Sequence, residues 1–323
     1  MKKECEDRIS NDSMSWAMIA GLVVTVIAFE VASPIRIALL SLAPLAVACA
    51  VLIAAAIFYT RVRINPRFRA CCLCLAQALL FSAAGSILSY LLARDGGSLW
   101  DSTLQHWDRS LGFEWLAYVN AIDGMPQAAV ALRVAYGSLI PQTIVVILAL
   151  GFGGRLDRLR TFVLAAILSG SAAILLSPLF PAVGNFAYLG LKPTDFAHVW
   201  QSSNLADVRD FLAIRSGGIA ALDLRTMQGI IVFPSYHGAL ATVSLWAFWT
   251  SGVRWLRWAG SAVALATIAA TPAFGGHYFV DVIAGIALGL ASIIAARRLA
   301  AVQVPLPAIR AWPSRRSHEV FAR

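Results

Sequence analysis

His277 and Asp281 stand four residues apart in Gly275-Gly276-His277-Tyr278-Phe279-Val280-Asp281, so on a helix they share a face. A carboxylate one turn along can accept the imidazole Nδ1–H, fix the tautomer and leave Nε2 as a nucleophile. The same carboxylate stabilises the imidazolium that develops. A second histidine, His237, lies in Phe233-Pro234-Ser235-Tyr236-His237-Gly238. It supplies what a nucleophile alone lacks, an acid to protonate a departing alkoxide. Gly275 and Gly276 allow the backbone to approach an anionic group closely, and Ser235 adds a hydroxyl donor. Taken singly, each feature has an ordinary structural use: a His–Asp pair can merely satisfy itself, and a histidine near a helix start is often a packing residue. Joined on one face, the three side chains point to catalysis. Two histidines and an aspartate are also a zinc donor set, but Asp281 is better placed to orient His277 than to share a metal with it. No metal and no other cofactor is therefore expected.

The elements that must position these residues are membrane helices. The chain has 323 residues, of which 59% are hydrophobic and 13% charged, against about 25% charged in an ordinary soluble domain. That excludes a typical soluble enzyme, a disordered chain and a coiled coil, and leaves an all-α polytopic integral membrane bundle. Eight apolar runs have the character of spans, at about 15–32, 35–59, 71–93, 127–150, 161–181, 229–250, 259–273 and 278–296. The seventh is short, and Ser33-Pro34 alone separates the first two. Arginines gather in the gaps between runs: Arg61, Arg63, Arg67 and Arg69, then Arg155, Arg158 and Arg160, then Arg254 and Arg257, and finally the tail from Arg297. An eight-span path puts all of them on the side of the N-terminus, which the positive-inside rule makes the cytoplasm. Both catalytic stretches then lie near the outer membrane face, by an argument that uses neither motif. The net charge of +9 belongs to this topology and to anionic lipid headgroups, so no nucleic-acid partner is expected.

Two longer segments face outward on this path. Residues 94–126 carry Trp100, His106, Trp107, Phe113 and Trp115 among five acids, the pattern of an amphipathic helix lying in the interface. Residues 182–228 are too long to be a mere connector. The cysteine cluster Cys71-Cys72-Leu73-Cys74 lacks a histidine partner and reads as packing at a helix end.

The stretches PSYHG (234–238) and GGHYFVDVIAG (275–285) resemble the second and third signature motifs of the type-2 phosphatidic acid phosphatase superfamily. More narrowly, they resemble the inositol phosphorylceramide synthase branch of its lipid phosphotransferases. The resemblance implies that His277 attacks phosphorus to form a phosphohistidine, that Asp281 orients it, and that His237 protonates the leaving group and then deprotonates the acceptor, without a metal. It also implies a six-helix catalytic core over 71–298, preceded by a two-helix extension over 1–70 and followed by a basic cytoplasmic tail over 299–323. The sequence departs from the phosphatase pattern in two places. Thr271 stands where the third motif carries an arginine six residues before the nucleophile, and Lys192-Pro193 is a fragment of the first motif.

A transferring phosphoryl group needs cationic or amide donors on its equatorial oxygens. Arg215 and Arg225 in the second outer segment are the candidate replacements, with Lys192 behind them, and Arg133 reaches the site from across the bundle or snorkels to the surface. The expected function is a membrane lipid phosphoesterase or phosphotransferase fed from the outer leaflet, leaning to headgroup transfer, with a lipid phosphate or polyprenyl diphosphate phosphatase as the alternative. A transporter using the His–Asp pair as a proton relay is a rival from another class. The Ala- and Arg-rich chain leans towards a bacterial inner membrane with a periplasmic site.

Overall fold

The structure, a computed structural model, describes residues 10–199 and 203–301. The first nine residues and most of the basic tail, including His318, lie outside the described residues. Apolar composition dictates helices, because a chain inside a bilayer must satisfy its own backbone. Their order is α1 (Ser10–Ala32), α2 (Ala43–Arg61), α3 (Pro66–Ala93), α4 (Asp101–Ser110), α5 (Trp115–Asp123), α6 (Pro126–Gly137), α7 (Leu139–Phe152), α8 (Leu156–Leu176), α9 (Asn185–Tyr188), α10 (Ser203–Arg215), α11 (Tyr236–Thr250), α12 (Arg254–Phe274) and α13 (Phe279–Ala301). The fold is all-α apart from one two-residue pairing of parallel strands, β1 (Arg36–Ile37) with β2 (Ala221–Leu222).

Among the described residues, five helices are long and apolar enough to cross a membrane, and six if the bent pair α6–α7 counts as one span. The eight expected spans are therefore amended at three places. The fourth is broken: α6 and α7 meet at a 58° bend, because Pro141 has no N–H to give to the preceding turn. That missing donor leaves the Gly137 carbonyl unpaired in the ladder, and at the same bend the Ala135 carbonyl accepts from Ser138 N–H, from the Thr267 hydroxyl at 2.8 Å and from Gln142 Nε2. Gln142 also donates to Thr267 Oγ1, so a polar cluster replaces the broken ladder. The sixth expected span starts seven residues late, at α11, whose 15 residues are short of the roughly 17 a bilayer needs. The seventh corresponds to α12, which Arg254 and Arg257 enter at one end and which falls below the apolar threshold of the other spans.

Contacts gather the arginine-rich gaps at one end of the bundle. Arg67 donates to the Phe152 carbonyl and Arg158 to the Thr250 carbonyl, and the Arg155 guanidinium lies against Gly252. The outward segments meet at the other end, where Trp100 N–H bonds the Pro181 carbonyl and Asp123 accepts from the N–H groups of Ala197, His198 and Val199. Cys71 and Cys74 are buried, with Cys71 against Ile147 and Gly151, which is the packing role expected of them.

The helices that carry the histidines approach closely because their contact is built from glycine. A Cβ on Gly285 would collide with the Ser235 carbonyl, and one on Gly289 would come within 2.7 Å of the Ala239 carbonyl. Gly238 faces Val282 in return. Small residues four apart let membrane helices pack backbone to backbone, and here they seat the start of α11 on the start of α13.

Candidate active site

Ser235 caps α11, its Oγ accepting from Gly238 N–H, and its own N–H bonds the Asp281 carbonyl. This cross-link joins the two motif stretches. It places Ser235, His277 and Asp281 together in the interior, with 0%, 4% and 0% exposure, and His237 beside them, half-buried. His277 Nδ1 lies 3.4 Å from Asp281 Oδ2, a close electrostatic approach without hydrogen-bond alignment. The opposite nitrogen, Nε2, lies 3.4 Å from Ser235 Oγ. The rings of His237 and His277 stand 6.4 Å apart between centroids, and Tyr136 of α6 stacks on His237 at 4.5 Å, nearly parallel. Burial pushes the His277 imidazole down to about 4, a shift the Val232 carbonyl partly opposes.

The turn before His277 is fixed from outside the motif. Gly276 has φ +65°, a left-handed conformation that favours glycine, and its carbonyl accepts from Asn185 N–H. Asn185 Nδ2 reaches the His277 carbonyl at 3.3 Å. The amphipathic helix α4 then supplies two buried carboxylates. Asp108 accepts the N–H groups of Phe279 and Val280, at the start of α13, at 2.9 and 2.8 Å. A helix start has unpaired N–H groups and a positive dipole end, so an acid there is stabilising. Asp101 accepts from Val183 and Gly184 N–H and from the Tyr278 hydroxyl. Burial raises both acids, and these donors pull each back down.

A cavity of about 180 Å³ opens in front of the two histidines. Tyr136, Tyr236, His237, Gly275 and His277 form one wall, and Ser82, Ser86 and Ser89 of α3 with Asp207 and Phe211 of α10 form another. The serines at i, i+4 and i+7 make one polar stripe down a membrane helix, a spacing visible in the sequence but not singled out there. Asp207 and the two α4 acids carry no local spacing that marks them in the sequence.

The candidate cations do not line this cavity. Arg215 donates Nη2 to the Gly97 carbonyl at 2.5 Å and lies 5.5 Å over the Phe211 ring. Arg225 is exposed and paired with Asp223, two residues away, holding that carboxyl down to about 2. Arg133 is exposed on α6, and Lys192 is exposed in a turn where its N–H bonds Asp195. Thr271, in the place of the family arginine, is buried and returns its hydroxyl to the Thr267 carbonyl. Among the described residues that line the cavity there is no Lys or Arg, and Asp207 is the formal charge beside the two histidines.

No curated relative and no solved structure matches the chain. A family model described as PAP2 superfamily matches residues 102–295, which span α4 to α13 and include His237, His277 and Asp281. This integral membrane chain belongs to the PAP2 superfamily of phosphatases.

Proposed function

We propose that the protein is a lipid phosphotransferase that works through a phosphohistidine at His277. The observation that carries this reading is that His277 and His237, from separate stretches of sequence, line one cavity, with Asp281 buried behind His277 at 3.4 Å from its Nδ1. Asp281 keeps the proton on Nδ1, which leaves the Nε2 lone pair to attack phosphorus. The N–P bond forms as the ester P–O bond breaks, and protonated His237 gives its proton to the departing lipid alkoxide. His237, now neutral, takes the proton of an acceptor hydroxyl, whose oxygen attacks the phosphohistidine and releases His277. Ser235 and the backbone around Gly276 are the donors nearest the phosphoryl oxygens, in the role that arginines were expected to fill.

The acceptor is an alcohol in this reading, and the substrate a phosphodiester. A cavity wall without lysine or arginine suits a diester monoanion better than a monoester dianion, because each further negative charge needs its own compensation in a low dielectric. The lipid enters from the outer leaflet, and the site faces the periplasm of a bacterial inner membrane. Inositol phosphorylceramide synthase-like transfer is one such reaction.

The test follows phosphorus from labelled phosphatidate, phosphatidylinositol and polyprenyl diphosphate, with wild type beside His277→Ala, each with and without ceramide or diacylglycerol. Label entering a new lipid when acceptor is present, and absent in the variant, supports transfer. Free phosphate released faster from phosphatidate than from any diester would make the protein a hydrolase and overturn the diester reading. Silence of both proteins towards every phosphorus substrate would overturn the phosphohistidine itself.

A further inference from the structure

Asp207 is the carboxylate that lines the cavity, and the proposed chemistry does not use it. Its Oδ1 is buried and has no hydrogen-bond partner among the described residues, although it lines the same space as His237 and His277. Its neighbour one turn on, Asp210, shows what a structural acid looks like here: Oδ2 accepts the Tyr90 hydroxyl at 3.3 Å and Oδ1 lies 3.8 Å from Arg209. A buried polar atom left unpaired costs about 1–3 kcal/mol, so a carboxylate kept this way in a cavity is a ligand contact in waiting.

Charge decides which ligand. A phosphodiester bound at His277 brings one negative charge into a space that already holds Asp207 and is lined by no lysine or arginine among the described residues. Two like charges in a low dielectric repel strongly. A polyol headgroup carries no charge of its own and leaves Asp207 to escape that repulsion by taking up a proton, so the carboxylate gives it no ion pair. An ammonium group on the same headgroup removes the repulsion, pairing with the carboxylate while the phosphate faces the histidines. Phe81, Tyr136 and Phe211 line the cavity with it, and aromatic faces beside a carboxylate are favourable surroundings for an alkylammonium ion.

We propose that Asp207 is the headgroup-recognition residue of this cavity and that it takes the ammonium end of a zwitterionic amino-alcohol phosphodiester. This deepens the phosphotransferase reading and rests on it for the position of the phosphate. Burial and the neighbouring Asp210 raise Asp207 to about 7, so a bound cation gains by holding it ionised.

The test has two arms, so that loss of this inference is distinguishable from loss of the reading beneath it. In the first, wild type and Asp207→Asn in lipid nanodiscs receive phosphatidylethanolamine, phosphatidylcholine, phosphatidylglycerol and phosphatidylinositol as phosphoryl donors. The expected result is a kcat/KM preference of wild type for the two ammonium-bearing donors of about tenfold, equivalent to about 1.4 kcal/mol, which collapses towards unity in Asp207→Asn and returns in part in Asp207→Glu. A preference for the polyol donors, or an equal loss on all four, would overturn it. In the second arm, binding of glycerophosphoethanolamine, glycerophosphocholine and glycerophosphoinositol is measured calorimetrically with His277→Ala, with and without Asp207→Asn. Binding of the ammonium-bearing compounds that requires Asp207 supports the inference even where no donor turns over. Equal or absent binding of all three would overturn it even where turnover is observed.

Discussion

Two helices outside the long apolar spans, α4 and α10, each bring acid to the site, and they use it in opposite ways. On α4, all four carboxylate oxygens of Asp101 and Asp108 accept hydrogen bonds, and the donors belong to the segments that hold His277 and the start of α13. On α10, Asp207 presents a buried oxygen that accepts no hydrogen bond from the described residues. The first pair is spent on structure, since a carboxylate surrounded by backbone N–H groups locks those groups in place. The second is held open. Burial raises all three, so it is the hydrogen-bond inventory, not burial, that separates an acid that builds the site from one available to a ligand.

The comparison can be broken in descending order of effect. His277→Ala removes the proposed nucleophile, whose segment the α4 acids hold, and the proposed transfer is expected to fall by at least about 10³-fold with the fold intact. Retention of more than a tenth of the activity would place the chemistry elsewhere. Asp108→Ala strands two buried N–H groups at the start of α13, and loss of two charge-assisted hydrogen bonds is expected to cost about 3 kcal/mol, read as a lowered melting temperature of the detergent-solubilised protein. A variant as stable as wild type would show that α4 merely rests on the site.

The depressed His277 pKa gives a pH prediction of definite sign. The fold disfavours the imidazolium, so the nucleophile keeps its lone pair until pH falls to about 4, and the acid limb of kcat/KM belongs there and not at the ordinary 6.5. By linkage the unfolded chain binds the extra proton between these values, so the His277 contribution to stability is full above 6.5 and declines as pH falls towards 4. A limb centred near 6.5 would mean that water reaches the ring freely. The smallest effect belongs to Arg225→Ala: the side chain is exposed and paired with Asp223, and turnover is expected to stay within about twofold. A larger loss would return that arginine to the phosphate.

Much of this site was legible because its chemistry is local. The spacing of His277 and Asp281 anticipates their approach, 3.4 Å between Nδ1 and Oδ2, although His277 lies in the turn before α13, and the Gly285-x-x-x-Gly289 contact that brings α11 onto α13 starts at the last residue of the motif and runs beyond it. The arginines illustrate the opposite case. Arg215 and Arg225 were sensible phosphate ligands by charge and by proximity along the chain. Yet a long side chain takes the nearest acceptor, which for Arg225 was Asp223, two residues away, and for Arg215 the distant Gly97 carbonyl. The first pairing could have been suspected from the sequence; the second could not.

By itself, then, the sequence determined an all-α membrane chain, the grouping of its basic gaps and the candidate trio of His237, His277 and Asp281, because apolar run length, charge and helical spacing act over a few residues. Tertiary structure decided what surrounds that trio. The bend between α6 and α7 brings Tyr136 onto His237. The strand pairing at Arg36–Ile37 ties the N-terminal extension to the second outward segment, and α4 clamps the start of α13. Each depends on partners about 100 to 185 residues apart, where hydrogen bonds and packing follow from how the helices assemble and no periodicity in the chain records them.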